Sequence, residues 1–147
     1  MTRLAAEKSA VVAKTLTEGV VLGADTIVVH QGQVLGKPAH QDEAVAMLSR
    51  LQGDSHEVFT GIALINAETG KLVQGHERTT VFFRSLSAEE IRRYVATNEP
   101  MDKAGAYGAQ GIGASFIEYI KGSYSNVVGL PLSKLALMLK EFGYEIP

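Results

Sequence analysis

Lys8, Asp25 and Lys37, together with a glycine-rich run from Pro100 to Gly113, are the parts of this 147-residue chain whose residue types and spacing suit chemistry. Asp25 sits inside Val20-Val21-Leu22-Gly23-Ala24-Asp25-Thr26-Ile27-Val28-Val29, an apolar and β-branched run in which an unpaired carboxylate would be strongly unfavourable. Two roles fit it: a strand-end aspartate hydrogen-bonded to backbone amides, or a metal ligand or general base, for which small neighbours clear space on its N-terminal side. On a helical wheel of about 100° per residue, Leu4, Ala5, Val11, Val12 and Leu16 share one side and Lys8 falls near its middle. Either the lysine stem snorkels along apolar surface, or the ammonium points inward to neutralise a bound anion. A two-residue turn at Gln31-Gly32 places Thr26 opposite Lys37 and Asp25 opposite Pro38. Strict alternation sends Asp25 and Lys37 to opposite faces, but Gly36 and Pro38 break the pleat and leave the direction of Lys37 open, a plain surface lysine included.

The run Pro100 to Gly113 carries Asp102, Lys103 and the amide of Gln110 among glycines whose backbone N–H groups can approach an anion. It matches neither the Walker nor the dinucleotide spacing, so taken alone it reads better as a surface loop. His56 has no second histidine or cysteine at ligand spacing and reads as structural; His30, His40 and His76 are scattered. Ser123-Tyr124-Ser125-Asn126 reads as a turn, with no base in reach of a serine nucleophile. Two lysines, a buried acid and a glycine loop together suit phosphoryl chemistry. A triphosphate needs positive charge and a divalent cation, and attacking water needs a base or a metal-bound hydroxide.

The elements that must hold these residues follow from periodicity. Arg3 to Leu16 reads as a helix, Val20 to Val29 as a buried strand, and Gln33 to Leu35 as its antiparallel return. Asp42 to Leu51 is a helix with Gly53 to end it; His56 to Ile65 and Leu72 to Phe83 are strands joined by a turn at Asn66 to Gly70. Ser87 with Glu90 forms a capping box, Leu86 with Ile91 a hydrophobic staple, and Pro100 ends that helix near Asn98. A strand is expected around Ser115 to Ile120, then a short strand at Asn126 to Val128. A last helix opens at Pro131, carries Leu132, Leu135, Leu139 and Phe142 on one face, and has Gly143 past its end. The result is one α/β or α+β domain over residues 1–147, a mixed sheet flanked by helices. A helix leading into a buried strand normally follows an earlier strand of a right-handed crossover, and none precedes this one.

Composition bounds the rest. With 46% hydrophobic residues, 20% charged and a formal charge of −2, the chain is neither disordered nor a binder of polyanions by bulk charge. It has no cysteine, hence no disulfide and no thiolate chemistry. The N-terminus lacks a signal-peptide core and no stretch approaches the ~18 apolar residues of a membrane span, so a cytoplasmic protein is expected.

Read in order, Arg3-Leu4-Ala5-Ala6-Glu7-Lys8-Ser9-Ala10, Gly23-Ala24-Asp25-Thr26-Ile27-Val28, Leu35-Gly36-Lys37-Pro38, His56-Glu57-Val58-Phe59-Thr60-Gly61, Asp102-Lys103-Ala104-Gly105-Ala106-Tyr107-Gly108-Ala109-Gln110-Gly111 and Asn126-Val127-Val128-Gly129-Leu130-Pro131 resemble the Maf family of nucleoside triphosphate pyrophosphatases. The blocks span nearly the whole chain. The resemblance implies a Maf/ITPase-like fold and hydrolysis between the α and β phosphates of a nucleotide. It further implies a divalent cation, Mg²⁺ or Mn²⁺, and a homodimer. It implies Asp25 as proton acceptor and metal ligand, Lys8 and Lys37 as phosphate-contacting lysines, and Thr26, Gln110 and Lys103 as substrate-binding residues. The Gly-Ala-Asp-Thr strand and the Tyr-Gly-x-Gln-Gly loop mark the branch that prefers dTTP and UTP to 7-methyl-GTP. An amide such as that of Gln110 can pair with a base edge, and a mismatched base leaves it unpaired. Family members begin with a strand, a Ser-x-Ser-Pro-Arg-Arg loop and an acidic residue near the metal. The stretch matched here starts after them, so the fold is expected without the family's first strand and Met1 is expected to be an internal start. The expected function is a house-cleaning dTTP/UTP pyrophosphatase. The alternative, from a different class, is a nucleotide-binding or cell-division regulatory remnant without turnover.

Overall fold

The computed structural model describes residues 2–16 and 18–145. Helix α1 (Thr2–Ala13) leads into strand β1 (Val20–His30), which turns into β2 (Gln33–Leu35). Both turn residues have positive φ, 50° at Gln31 and 77° at Gly32, the combination whose twist matches that of the flanking strands. The register Val28↔Leu35, Val29↔Val34, His30↔Gln33 is the expected one, but pairing stops there and frees Gly36-Lys37-Pro38 from the pleat. There follow α2 (Gln41–Leu51), β3 (Ser55–Asn66), β4 (Leu72–Phe83) and α3 (Ala88–Ala96). Short 3₁₀ turns at Glu99–Asp102, Ala104–Ala106 and Ile112–Phe116 then lead to β5 (Ile117–Lys121), α4 (Tyr124–Val128) and α5 (Leu132–Lys140).

The strands form one helix-flanked sheet in the order β2-β1-β3-β4-β5, and every neighbouring pair is antiparallel. Val58, Ile62 and Leu64 of β3 are buried on one face. There Val58 joins the core of α2 and α3, with Leu48, Leu51, Ile91 and Tyr94, while Ile62 and Leu64 pack on Leu135 and Met138 of α5. Each such aliphatic side chain contributes on the order of 1.5–3 kcal/mol. The capping box is present at Ser87 and Glu90, and the staple residues Leu86 and Ile91 are both buried.

The face of α1 that packs on the sheet differs from the one the wheel selects. Ala5, Ser9 and Ala13 are buried, while Leu4, Val11, Val12 and Leu16 are exposed. The reason lies in the strand beneath: a Cβ at Gly23 would collide with the Ala5 carbonyl oxygen, so helix backbone rests directly on β1 and only small side chains fit between them.

Asn126 to Val128, expected as a strand, is helical. Ser123 accepts a hydrogen bond from the Asn126 N–H as N-cap, and Gly129 closes the segment with φ 126°. These caps outweigh the β-propensity of the two valines. Strand β5 begins at Ile117 rather than Ser115, because Ile112–Phe116 is wound as a 3₁₀ turn.

Candidate active site

Alternation along β1 sends Asp25 and Thr26 to opposite faces, yet both line one cavity of about 290 Å³. The sheet order explains how. Strand β2 covers only Val28–His30 of the outer edge of β1, so from Val20 to Ile27 that edge has no strand partner among the described residues. A cavity at such a margin is reached from both faces.

From the α1 side, the Lys8 ammonium donates to Asp25 Oδ1 at 3.0 Å and to the Ala24 carbonyl at 3.3 Å. The carboxylate is largely buried and the lysine is half exposed. The lysine of the wheel therefore meets the acid on the face of β1 that carries α1, two residues beyond the contact of Gly23 with Ala5. From the opposite face, Thr26 Oγ1 lies 2.9 Å from Thr60 Oγ1, above a wall of Val127, Val128 and Gly129. That wall is pinned by Asn126, fully buried, whose amide donates to Val58 O at 3.1 Å and Thr79 Oγ1 at 2.9 Å. The third wall is the glycine-rich segment, which supplies Asp102, Lys103, Ala104 and Tyr107. It is tied to the end of the β1–β2 hairpin by Gly105 N–H donating to Gly36 O at 3.2 Å. Lys37 enters the cavity beside that bond.

The charges converge. Lys103 donates to Asp102 Oδ1 at 2.8 Å and holds that carboxyl below the usual carboxylate range, with the charge of Lys37 adding to the effect. Lys8 occupies Asp25 in the same way, which leaves Lys37 without a carboxylate partner among the described residues. The cavity, with three lysines against two carboxylates, thus carries an excess of positive charge suited to an anion.

Gln110 lies next door, in a cleft of about 330 Å³ that shares Lys103, Tyr107, Val127 and Val128 with the first cavity. The structure therefore gathers Lys8, Asp25, Thr26, Lys37 and Lys103 in one cavity and sets Gln110 in its extension. Tyr107 separates and joins the two. Behind it, His56 Nε2 stands 2.6 Å from the Tyr107 hydroxyl oxygen, with Phe83 packed edge-on against both rings. Burial pushes His56 down to about 4 and pushes the Tyr107 hydroxyl up, so both are neutral at ordinary pH. His56 is a prop, as its position in the sequence suggested.

Asp25 and Asp102 are the acids that line the cavity, and among the described residues no group of three or more His, Cys, Asp or Glu could hold a metal ion. A hard cation such as Mg²⁺ takes one or two carboxylates and completes its shell with phosphate oxygens and water. This donor set therefore suits a cation that arrives with a polyphosphate rather than one caged by protein. Asp102, Tyr107 and the valines of α4 line the cavity although the sequence alone assigns them no role there. The signal for Asp102 was its place beside Lys103 in the glycine run.

No helix among the described residues is long and apolar enough to cross a membrane. A model of the Maf-like protein family matches residues 1–142. A dTTP/UTP pyrophosphatase of Pelotomaculum thermopropionicum is 57% identical over 143 residues, covering 97% of this chain and 75% of the relative. One of Desulforamulus reducens is 56% identical over 144 residues, covering 98% and 75%. A third, of Bacillus cytotoxicus, is 52% identical over 139 residues, covering 95% and 72%.

Proposed function

Because the chain belongs to the Maf-like protein family, we propose that it is a nucleoside triphosphate pyrophosphatase that converts dTTP and UTP to the monophosphate and pyrophosphate. The observation that carries this is the convergence of Lys8, Lys37 and Lys103 with the largely buried Asp25 on one cavity at the margin of the sheet. The triphosphate lies along the lysines. Lys8 bonds Oδ1 of Asp25, and the other carboxylate oxygen accepts the proton of the water that attacks the α phosphorus. The bond from that phosphorus to the α–β bridging oxygen breaks, and the leaving pyrophosphate is stabilised by the ammonium groups of Lys37 and Lys103. Thr26 and Gln110 bind the nucleoside end, with Tyr107 and the α4 valines as the wall between.

Asp25 would hold a divalent cation jointly with the phosphates; when bound, Mg²⁺ or Mn²⁺ supplies charge neutralisation on the phosphate oxygens. The intact acid and lysines, with the relatives' name, favour turnover over a remnant that only binds nucleotide. The proposed enzyme is a homodimer. Apolar surface for it is present in the exposed side chains of α1 and in a groove of about 310 Å³ lined by Val20, Leu22, Leu64, Leu135, Leu139 and Tyr144.

Incubation with dTTP, UTP, CTP and 7-methyl-GTP in the presence of Mg²⁺, with monophosphate and pyrophosphate quantified, tests the proposal. The first two substrates should be preferred. Asp25→Asn should lower kcat by at least about 10²-fold, the usual contribution of a positioned base, while the circular dichroism spectrum stays that of the wild type. A variant with near-wild-type kcat would remove Asp25 from the mechanism.

A further inference from the structure

The cleft that holds Gln110 is built over a carboxylate that the chemistry above does not use. Glu99 lines this cleft but not the neighbouring cavity of Lys8, Asp25 and Lys37. Its Oε1 accepts the Ile112 N–H at 2.9 Å, and its Oε2 accepts the Gly113 N–H at 3.0 Å and the Tyr94 hydroxyl. The Tyr94 oxygen in turn accepts the Gly108 N–H at 3.0 Å. One carboxylate and one phenol therefore grip both ends of the loop Gly108–Gly113, with Gln110 exposed between them. The fit is close: a Cβ on Gly111 would collide with the Glu99 carboxylate, and one on Gly113 would lie 2.8 Å from the Tyr94 hydroxyl. Burial works against the Glu99 charge, but the Tyr94, Gly113 and Ile112 hydrogen bonds and the nearby Lys103 outweigh it and hold its carboxyl below the usual range.

We infer that Glu99 is a positioning residue that, through Tyr94 and the loop amides, sets Gln110 against the nucleobase and so governs discrimination among bases rather than affinity for phosphates. This rests on the pyrophosphatase reading and extends it. A carboxylate can accept all of these donors; a glutamine has one acceptor oxygen and must turn its NH₂ toward an N–H or O–H, so Glu99→Gln opens the loop while keeping size and shape.

The test compares wild type, Glu99→Gln and Tyr94→Phe. It measures kcat and KM for UTP and CTP, the inhibition constant of tripolyphosphate as a ligand without a base, and amide hydrogen exchange at Ile112 and Gly113. In Glu99→Gln the exchange of both amides should accelerate. For UTP, kcat/KM should fall about tenfold through KM, as expected for one charge-assisted hydrogen bond, while tripolyphosphate inhibition stays within about twofold. The preference for UTP over CTP should narrow. Tyr94→Phe should move each quantity in the same direction by less, and it decides the matter if Glu99→Gln does not fold. Unchanged amide exchange, or equal weakening of UTP, CTP and tripolyphosphate, overturns the inference. A wild type that hydrolyses no pyrimidine triphosphate overturns the pyrophosphatase reading itself.

Discussion

Lys8 and Asp25 meet because the helix carrying one is seated on the strand face that presents the other, and His56 stands behind Tyr107, which lines both clefts. The prop has a cost at low pH. His56 is 2% exposed and held at about 4 by burial, against 6.5 when unfolded, so the unfolded chain takes up a proton that the folded one refuses. Stability from this residue is complete above pH 6.5 and is lost as pH falls toward about 4. Between pH 7 and pH 4.5 the loss should be about 2–3 kcal/mol by the linkage relation. Urea denaturation at the two pH values measures it. His56→Asn, although less stable at pH 7, should show a visibly smaller drop between them; an equal drop would assign the acid sensitivity to other groups.

At the scale of elements, the seating of α1 on β1 sets where Lys8 ends. Gly23→Ala places a methyl group against the Ala5 carbonyl oxygen, so the helix must lift. Overpacking of this kind should cost about 1–3 kcal/mol, and turnover should fall with stability because Lys8 moves away from Asp25. Ser87→Ala is the contrast: loss of the cap of α3 should cost about 1 kcal/mol and leave kcat unchanged. Urea denaturation and steady-state rates on both variants distinguish a helix that carries the site from one that supports the core. The contact at Gly23 also explains what a reader of the sequence misses. The Gln31-Gly32 hairpin and the Ser87–Glu90 box are visible because turn chemistry and capping are local, and they came out in the expected register and place. The buried face of α1 is decided by a residue on another element, so a wheel drawn from α1 alone selects its larger side chains and, beyond Ala5, misses Ser9 and Ala13. Asn126 to Val128 misled for the opposite reason: two adjacent valines resemble a strand, while the caps at Ser123 and Gly129 are the stronger signal over so short a stretch. Lys8, Asp25 and Lys37 stood out as chemical residues, but their meeting point needed the sheet order, which leaves the outer edge of β1 open beside them.

For the molecule as a whole, the proposed dimer can be checked without substrate. Sedimentation velocity over a concentration series should reveal a species of twice the monomer mass. Leu22→Lys, which charges the apolar groove beside α5, should shift the distribution toward monomer. A single monomeric boundary for the wild type at about 100 μM would remove the dimer from the proposal. The location of the cavity has a longer-range consequence. Gln110 and Val128, which line the cleft proposed for the nucleobase, are exposed, whereas Leu48, Leu51 and Ile62 fill the interior. Descendants of such a protein can exchange one preferred nucleobase for another by altering a rim, and natural selection can explore those exchanges without first endangering the fold that carries them.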